Sequence, residues 1–211
     1  MKKALFFFFS IICTVAALAQ TAVECAFYSA PADIIPYAQR MMRQDFVDYY
    51  KSGSEKIIRN KLYDGSRILS LSDNSILIQE TADSLSTAQI AVEATKGDSI
   101  IIFIRNIATP AIDGAISFYS VDWFQLDNKA FKEPSLKDWV KGGKAELNAA
   151  KQLVPFVMAK YVYDVDSKIL TLSASFADFM PQDDYNKVSH LLFSTLRYAW
   201  DGKKMKLLDK Q

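Results

Sequence analysis

Histidine occurs once, at His190, and cysteine only twice, at Cys13 and Cys25. One histidine excludes a His-rich metal site, so a zinc site would need carboxylates for most of its ligands. It also forces any Ser-His-Asp or Cys-His mechanism through His190. That residue sits in Val188-Ser189-His190-Leu191-Leu192, read as the start of a strand, and suits a structural or surface role. No Gly-x-Ser-x-Gly elbow accompanies it. Glycine is scarce as well: Gly53, Gly65, Gly97, Gly114, Gly142, Gly143 and Gly202 are too dispersed for a phosphate-cradling loop or a dinucleotide fingerprint. No cofactor is expected.

Charge of one sign is lacking too. The 25 basic and 24 acidic residues give a net +1. A nucleic-acid binder usually carries a strongly basic face, so that class is set aside, as is an anionic membrane surface. The longest apolar run, Ala4 to Leu18, is shorter than the roughly 20 residues needed to span a bilayer.

That run belongs to a leader. Lys2 and Lys3 precede it, and Ala17-Leu18-Ala19 closes it with the small-x-small pattern of signal-peptidase sites. Residues 1–19 therefore read as a cleaved signal peptide, with the mature chain starting at Gln20, in the periplasm or outside. Neither cysteine follows a lipobox, because Cys13 lies inside the apolar run and Glu24 precedes Cys25; no lipid anchor is expected. Cleavage removes two basic and no acidic residues, which brings the net charge from +1 to about −1. It also leaves Cys25 alone, so no intrachain disulfide forms. Burial is its expected state, with intermolecular pairing or reactivity as the alternatives.

Residues 20–211 read as one α+β domain: helical over 29–62, a first β half over 66–126, a helix and loop connection over 127–154, and a second β half over 155–208. Cys25 to Tyr28 reads as an extended entry. Ser29 is placed to cap a helix with Pro31 in its first turn, and Ile35, Ala38, Met42, Phe46 and Tyr49 share one helical face. Pro36 should kink or restart it. A second short helix is read over Glu55 to Leu62.

Strands are expected at Arg67–Leu71, Ser75–Thr81, Ala88–Ala94, Ser99–Ile107 and Ala115–Phe124. Helix starts follow at Pro134-Ser135 and Ala145, with a break at Gly142-Gly143. Further strands are read at Pro155–Tyr163, Ile169–Phe176, His190–Ala199 and Lys203–Leu208, with a helical turn from Pro181 to Val188. The short connections favour antiparallel meanders, because parallel pairing needs long crossovers. Asp201-Gly202 reads as a hairpin turn with both residues at positive φ. The fold class is thus α+β, N-terminal helices packed on antiparallel meander sheets. The two β halves echo each other weakly, through Phe118 to Trp123 and Leu196 to Asp201.

Few residues suggest chemistry. Asp164-Val165-Asp166-Ser167 lacks the glycine and distal glutamate of a calcium loop and reads as a hairpin turn. Asp183-Asp184 suits a helix start. The aromatics Tyr119, Trp123, Tyr198 and Trp200 belong either to the core or to a sugar-stacking platform, the core being the commoner fate.

Phe27-Tyr28-Ser29-Ala30-Pro31, Ile34-Ile35-Pro36 and Arg43-Gln44-Asp45 with Tyr49-Tyr50 resemble the opening of a family of small exported proteins of unknown function from anaerobic Gram-negative bacteria. Ala108-Thr109-Pro110-Ala111, Asp113 and Phe118-Tyr119-x-x-Asp122-Trp123 resemble its middle motif. The resemblance implies export and a shared fold, with no catalytic residue to carry over. Ala30 and Met41 depart from the pattern, where Met and Asn are usual, which leaves Arg43 and Asp45 as the more informative pair. They do not face each other on a helix and are expected to cap or pair with neighbouring segments.

Together these readings describe an exported, non-enzymatic binding or structural module of the cell envelope, with a protein or glycan as partner. Its candidate surface is Trp123, Trp200, Tyr119, Tyr198, Arg43 and Asp45. The competing class is a hydrolase of cell-wall or dietary polysaccharide, which would need two carboxylates facing each other in a cleft.

Overall fold

The computed structural model describes residues 20–54, 57–59, 65–82, 85–108 and 110–211. The leader, Thr109 and most of the segment read as a second helix lie outside them. Of that segment, Ile57 to Arg59 is described, and it is not helical: Ile58 forms an antiparallel bridge with Ser66.

The chain enters as a helix rather than extended. Helix α1, Ala22–Ser29, starts at Thr21, whose side chain accepts the Glu24 N–H at 3.3 Å. Val23, Ala26, Phe27 and Ala30 recur at helical spacing and are buried. Ser29, expected to begin a helix, ends this one, and its hydroxyl donates back to the Cys25 carbonyl. Pro31 prevents continuation. Turns around Pro36 delay the next helix, α2, to Arg43–Lys51, where Phe46 and Val47 face inward.

Five strands follow: β1, Arg67–Leu71; β2, Ser75–Gln79; β3, Thr87–Ala94; β4, Ser99–Ala108; and β5, Ile112–Ser120. They pair antiparallel in consecutive order. Both faces of this sheet are buried at its centre, which is why β4 reads as a continuous apolar run rather than an alternating one. Ile76, Ile78, Ile90, Ile101 and Phe103 pack under α1 and α2. Ala91, Ile102, Ile104 and Phe118 face a second core. The fifth strand starts three residues before its expected position and ends at Ser120, where Trp123 already lies in a turn.

The second core is closed by α3, Leu136–Trp139; α4, Lys144–Leu153; α5, Phe176–Phe179; α6, Gln182–Val188; and a second antiparallel sheet. That sheet orders β6, Ala159–Asp164; β7, Ile169–Ala174; β8, Thr195–Trp200; and β9, Met205–Lys210. Each half of the chain is therefore a meander with helices packed on it, the expected α+β class. His190 lies outside the strand assigned to it: it is exposed in a 3-10 turn, Ser189–Leu191. The last hairpin also differs, since its loop has four residues, Asp201 to Lys204. Only Gly202 takes a positive φ, +87°. The Asp201 side chain stabilises the turn instead, accepting the Lys203 and Lys204 N–H groups at 2.9 and 2.8 Å.

Candidate functional site

Strand β6 is an edge strand, and its outer edge lies over the second-core face of the five-stranded sheet. Alternate residues present their N–H and C=O groups to that edge. Burial of those groups requires partners, and three strands supply them as side chains. Asp113 of β5 accepts the Ala159 N–H at 3.4 Å. Asn106 of β4 accepts the Tyr161 N–H at 2.8 Å and donates to the Tyr161 carbonyl at 2.9 Å. Gln89 of β3 does the same for Tyr163, at 3.1 and 2.6 Å. A carboxamide carries one acceptor and two donors, so it stands in for the peptide group of a missing neighbour strand.

Close approach makes this crossing feasible. A Cβ on Gly114 would sit 2.7 Å from the Tyr161 ring, so only glycine admits that ring. At the far end, the Tyr163 hydroxyl donates to Glu93 at 2.8 Å, and Lys168 approaches the same carboxylate at 3.5 Å. Burial, reinforced by the Glu93 bond, pushes the Tyr163 hydroxyl well above its ordinary pKa.

Because β6 crosses β5, β4 and β3, it leaves the β1 and β2 end of that face uncovered. A cleft of about 670 Å³ results. Leu69 and Leu77 from the sheet and Val162 from β6 form apolar walls, with Leu85 at the lip. Leu85 is 71% exposed, Val162 44% and Leu69 40%. The charged lining groups are Arg67, Lys160 and Asp164. Arg67 Nε donates to Gln79 Oε1 at 2.9 Å, and Lys160 is exposed. Asp164 Oδ1 accepts the Asp166 and Ser167 N–H groups at 2.9 and 3.2 Å, which hold its carboxyl below the usual range. That acid thus closes the hairpin turn expected of it.

The residues singled out in the sequence lie elsewhere and do not share one surface. Tyr119 and Trp123 are buried beside Phe103 in the helix-facing core. Trp123 has φ +64°, a region that costs a bulky residue about 1–3 kcal/mol, and its indole donates to the Ala26 carbonyl at 3.0 Å. Arg43 is 1% exposed. Its Nε donates to the Ala38 carbonyl at 3.0 Å, and its Nη1 to Phe27, Tyr28 and Ala30 at 3.1, 3.1 and 2.5 Å. The guanidinium therefore caps the carbonyl end of α1, where the helix dipole favours positive charge. Arg43 of the opening motif and Trp123 of the middle motif thus meet at that helix end, which gives both a role in the fold.

Tyr198 and Trp200 belong to the other core: Trp200 stacks on Phe118 at 5.9 Å, and Tyr198 meets Phe131 edge-on at 5.2 Å. Asp45 alone is exposed, on α2. Burial of Cys25 is also corrected, because its position on the outer face of α1 leaves it exposed. Gln89 and Asn106 escaped the sequence reading, and Asp113 entered it only as part of the resembling middle motif. The signal for the two amides was a polar side chain in line with inward-facing apolar neighbours, such as Asn106 following Ile102 and Ile104 on one face of β4.

Among the described residues, no group of three or more His, Cys, Asp or Glu side chains could hold a metal, and no helix is long and apolar enough to cross a membrane. No curated protein matches the chain. A solved structure of a domain of an uncharacterized protein from Porphyromonas gingivalis W83, an anaerobic Gram-negative bacterium, superposes with a TM-score of 0.73. The match covers 89% of this chain and 100% of that one at 17% identity, and so shows a shared fold alone. A family model matches residues 14–205, and the chain belongs to that family, described as a protein of unknown function (DUF3256).

Proposed function

We propose that this chain is an exported, non-enzymatic binding module of the cell envelope, and that it binds its partner in the cleft beside β6. The observation that carries this reading is the composition of the cleft: exposed aliphatic walls with Asp164 as the one carboxylate among the described lining residues. Hydrolysis of a glycoside by paired acids needs a second carboxylate within about 5–10 Å. Asp164 has no such companion in the lining, and its oxygen is engaged by the turn. Export rests on the leader, Met1 to Ala19, with its basic start and Ala17-Leu18-Ala19 end.

Intact-mass measurement of the protein recovered from cells is expected to give a chain beginning at Gln20 without an acyl group. Titration with fractionated envelope extract, followed by amide NMR, is expected to shift Leu69, Leu77 and Val162 while leaving His190 unmoved. Turnover of a polysaccharide, or shifts confined to residues outside the cleft, would overturn the reading.

A further inference from the structure

Three properties of the cleft point to one class of ligand, and the inference rests on the reading of the cleft as the binding site. Its exposed walls are aliphatic. Leu69, Leu85 and Val162 present branched alkyl groups, whereas the rings of Tyr161 and Tyr163, which also line it, belong to buried residues. A sugar face finds no open aromatic platform there, while an alkyl chain finds surface to cover. A volume of about 670 Å³ falls in the range of pockets for small ligands.

The charge leans positive, with two basic groups against one acid. Arg67 and Lys160 form no ion pair among the described residues. The single acid, Asp164, has an oxygen already committed to backbone N–H groups. An anionic group entering the cleft therefore meets two cations outside any ion pair among the described residues, against one acid.

Finally, the β6 wall offers no free backbone edge. The outward groups of Tyr161 and Tyr163 are taken by Asn106 and Gln89, which blocks the strand addition an extended peptide would use along β6. We propose that the cleft binds an anionic amphiphile, an alkyl chain of fatty-acid type bearing a carboxylate, with the chain against Leu69, Leu85 and Val162 and the head near Arg67 and Lys160.

Sodium dodecanoate, dodecyltrimethylammonium and dodecyl maltoside, each below its micelle concentration, test the class because they share a chain and differ in head charge. Calorimetry on the protein expressed from the full chain is expected to show saturable 1:1 binding of dodecanoate, at least about tenfold tighter than the cationic probe. R67Q and K160Q should each weaken dodecanoate by about 1.5-fold to fivefold, the scale of an exposed charge contact, and leave dodecyl maltoside unchanged. V162E, or L85K should V162E fail to fold, should weaken the maltoside as well. Equal affinity for all three heads, no effect of R67Q and K160Q, or no binding of dodecanoate would overturn the ligand class. Binding that ignores V162E and L85K, with NMR shifts away from β6, would overturn the cleft reading itself.

Discussion

Replacing Asn106 with leucine isolates what holds the two sheets together. Leucine keeps the number and branching of side-chain heavy atoms but removes both hydrogen-bonding functions. The Tyr161 N–H and carbonyl, now bonded at 2.8 and 2.9 Å, would then be buried without partners. Each unsatisfied group costs about 1–3 kcal/mol, so the two together should destabilise Asn106→Leu by about 2–6 kcal/mol. For a chain of this size, 3 kcal/mol lowers Tm by about 6–12 °C. Urea unfolding followed by circular dichroism measures the change.

Asn106→Asp separates hydrogen bonding from packing. The carboxylate still accepts the Tyr161 N–H but opposes the Tyr161 carbonyl, so its folded pKa should rise above the unfolded value near 3.9. Its stabilising contribution is then complete only below that unfolded value, where the acid O–H donates to the carbonyl. It is lost as pH rises through the folded pKa. The variant should approach the parent near pH 3.5 and fall clearly below it at pH 7. A loss under about 0.5 kcal/mol for Asn106→Leu, or equal losses for Asn106→Asp at both pH values, would refute the closing of the β6 edge by side-chain amides.

Further outcomes follow from the same structure. Arg43→Met strands four carbonyls, of Phe27, Tyr28, Ala30 and Ala38, and should cost about 3–5 kcal/mol in urea unfolding. Arg43→Lys should recover only part of that, because an ammonium lacks the planar fork that reaches all four. Gly114→Ala forces its Cβ against the Tyr161 ring and should cost about 1–3 kcal/mol, with the NMR shifts centred on β6. Burial raises the Tyr198 and Tyr28 hydroxyls to about 12, so their contribution to stability is present below pH 10 and lost as pH rises from 10 to 12. Absorbance titration at 295 nm should show these phenols ionising after the exposed ones; normal ionisation near pH 10 would contradict their burial.

How much was legible depended on the range of each interaction. Strand β1 was read with both of its ends, and β2, β3, β4 and β7 with one end each, because alternating or continuous apolar runs between turn residues are local signals. Helix α1 was missed since eight residues give barely two turns of periodicity, and its cap, Thr21, is the second residue after the leader's proposed cleavage site. The Trp–Asp corners stayed open between core and binding surface because tryptophan and tyrosine serve cores and rims alike. Only packing shows that Trp123 fixes α1 and that Trp200 stacks on Phe118.

By itself, the sequence determined the class of the fold, the antiparallel meanders and the lack of histidine, glycine and charge needed for most familiar chemistries. Those properties are set by residue type and by spacings of two to four positions. Tertiary structure alone decided where β6 crosses the larger sheet. Asn106 meets Tyr161 across 55 positions, and Gln89 meets Tyr163 across 74. No local pattern encodes such pairings, and the cleft exists only because that crossing covers part of a sheet face and leaves the rest open.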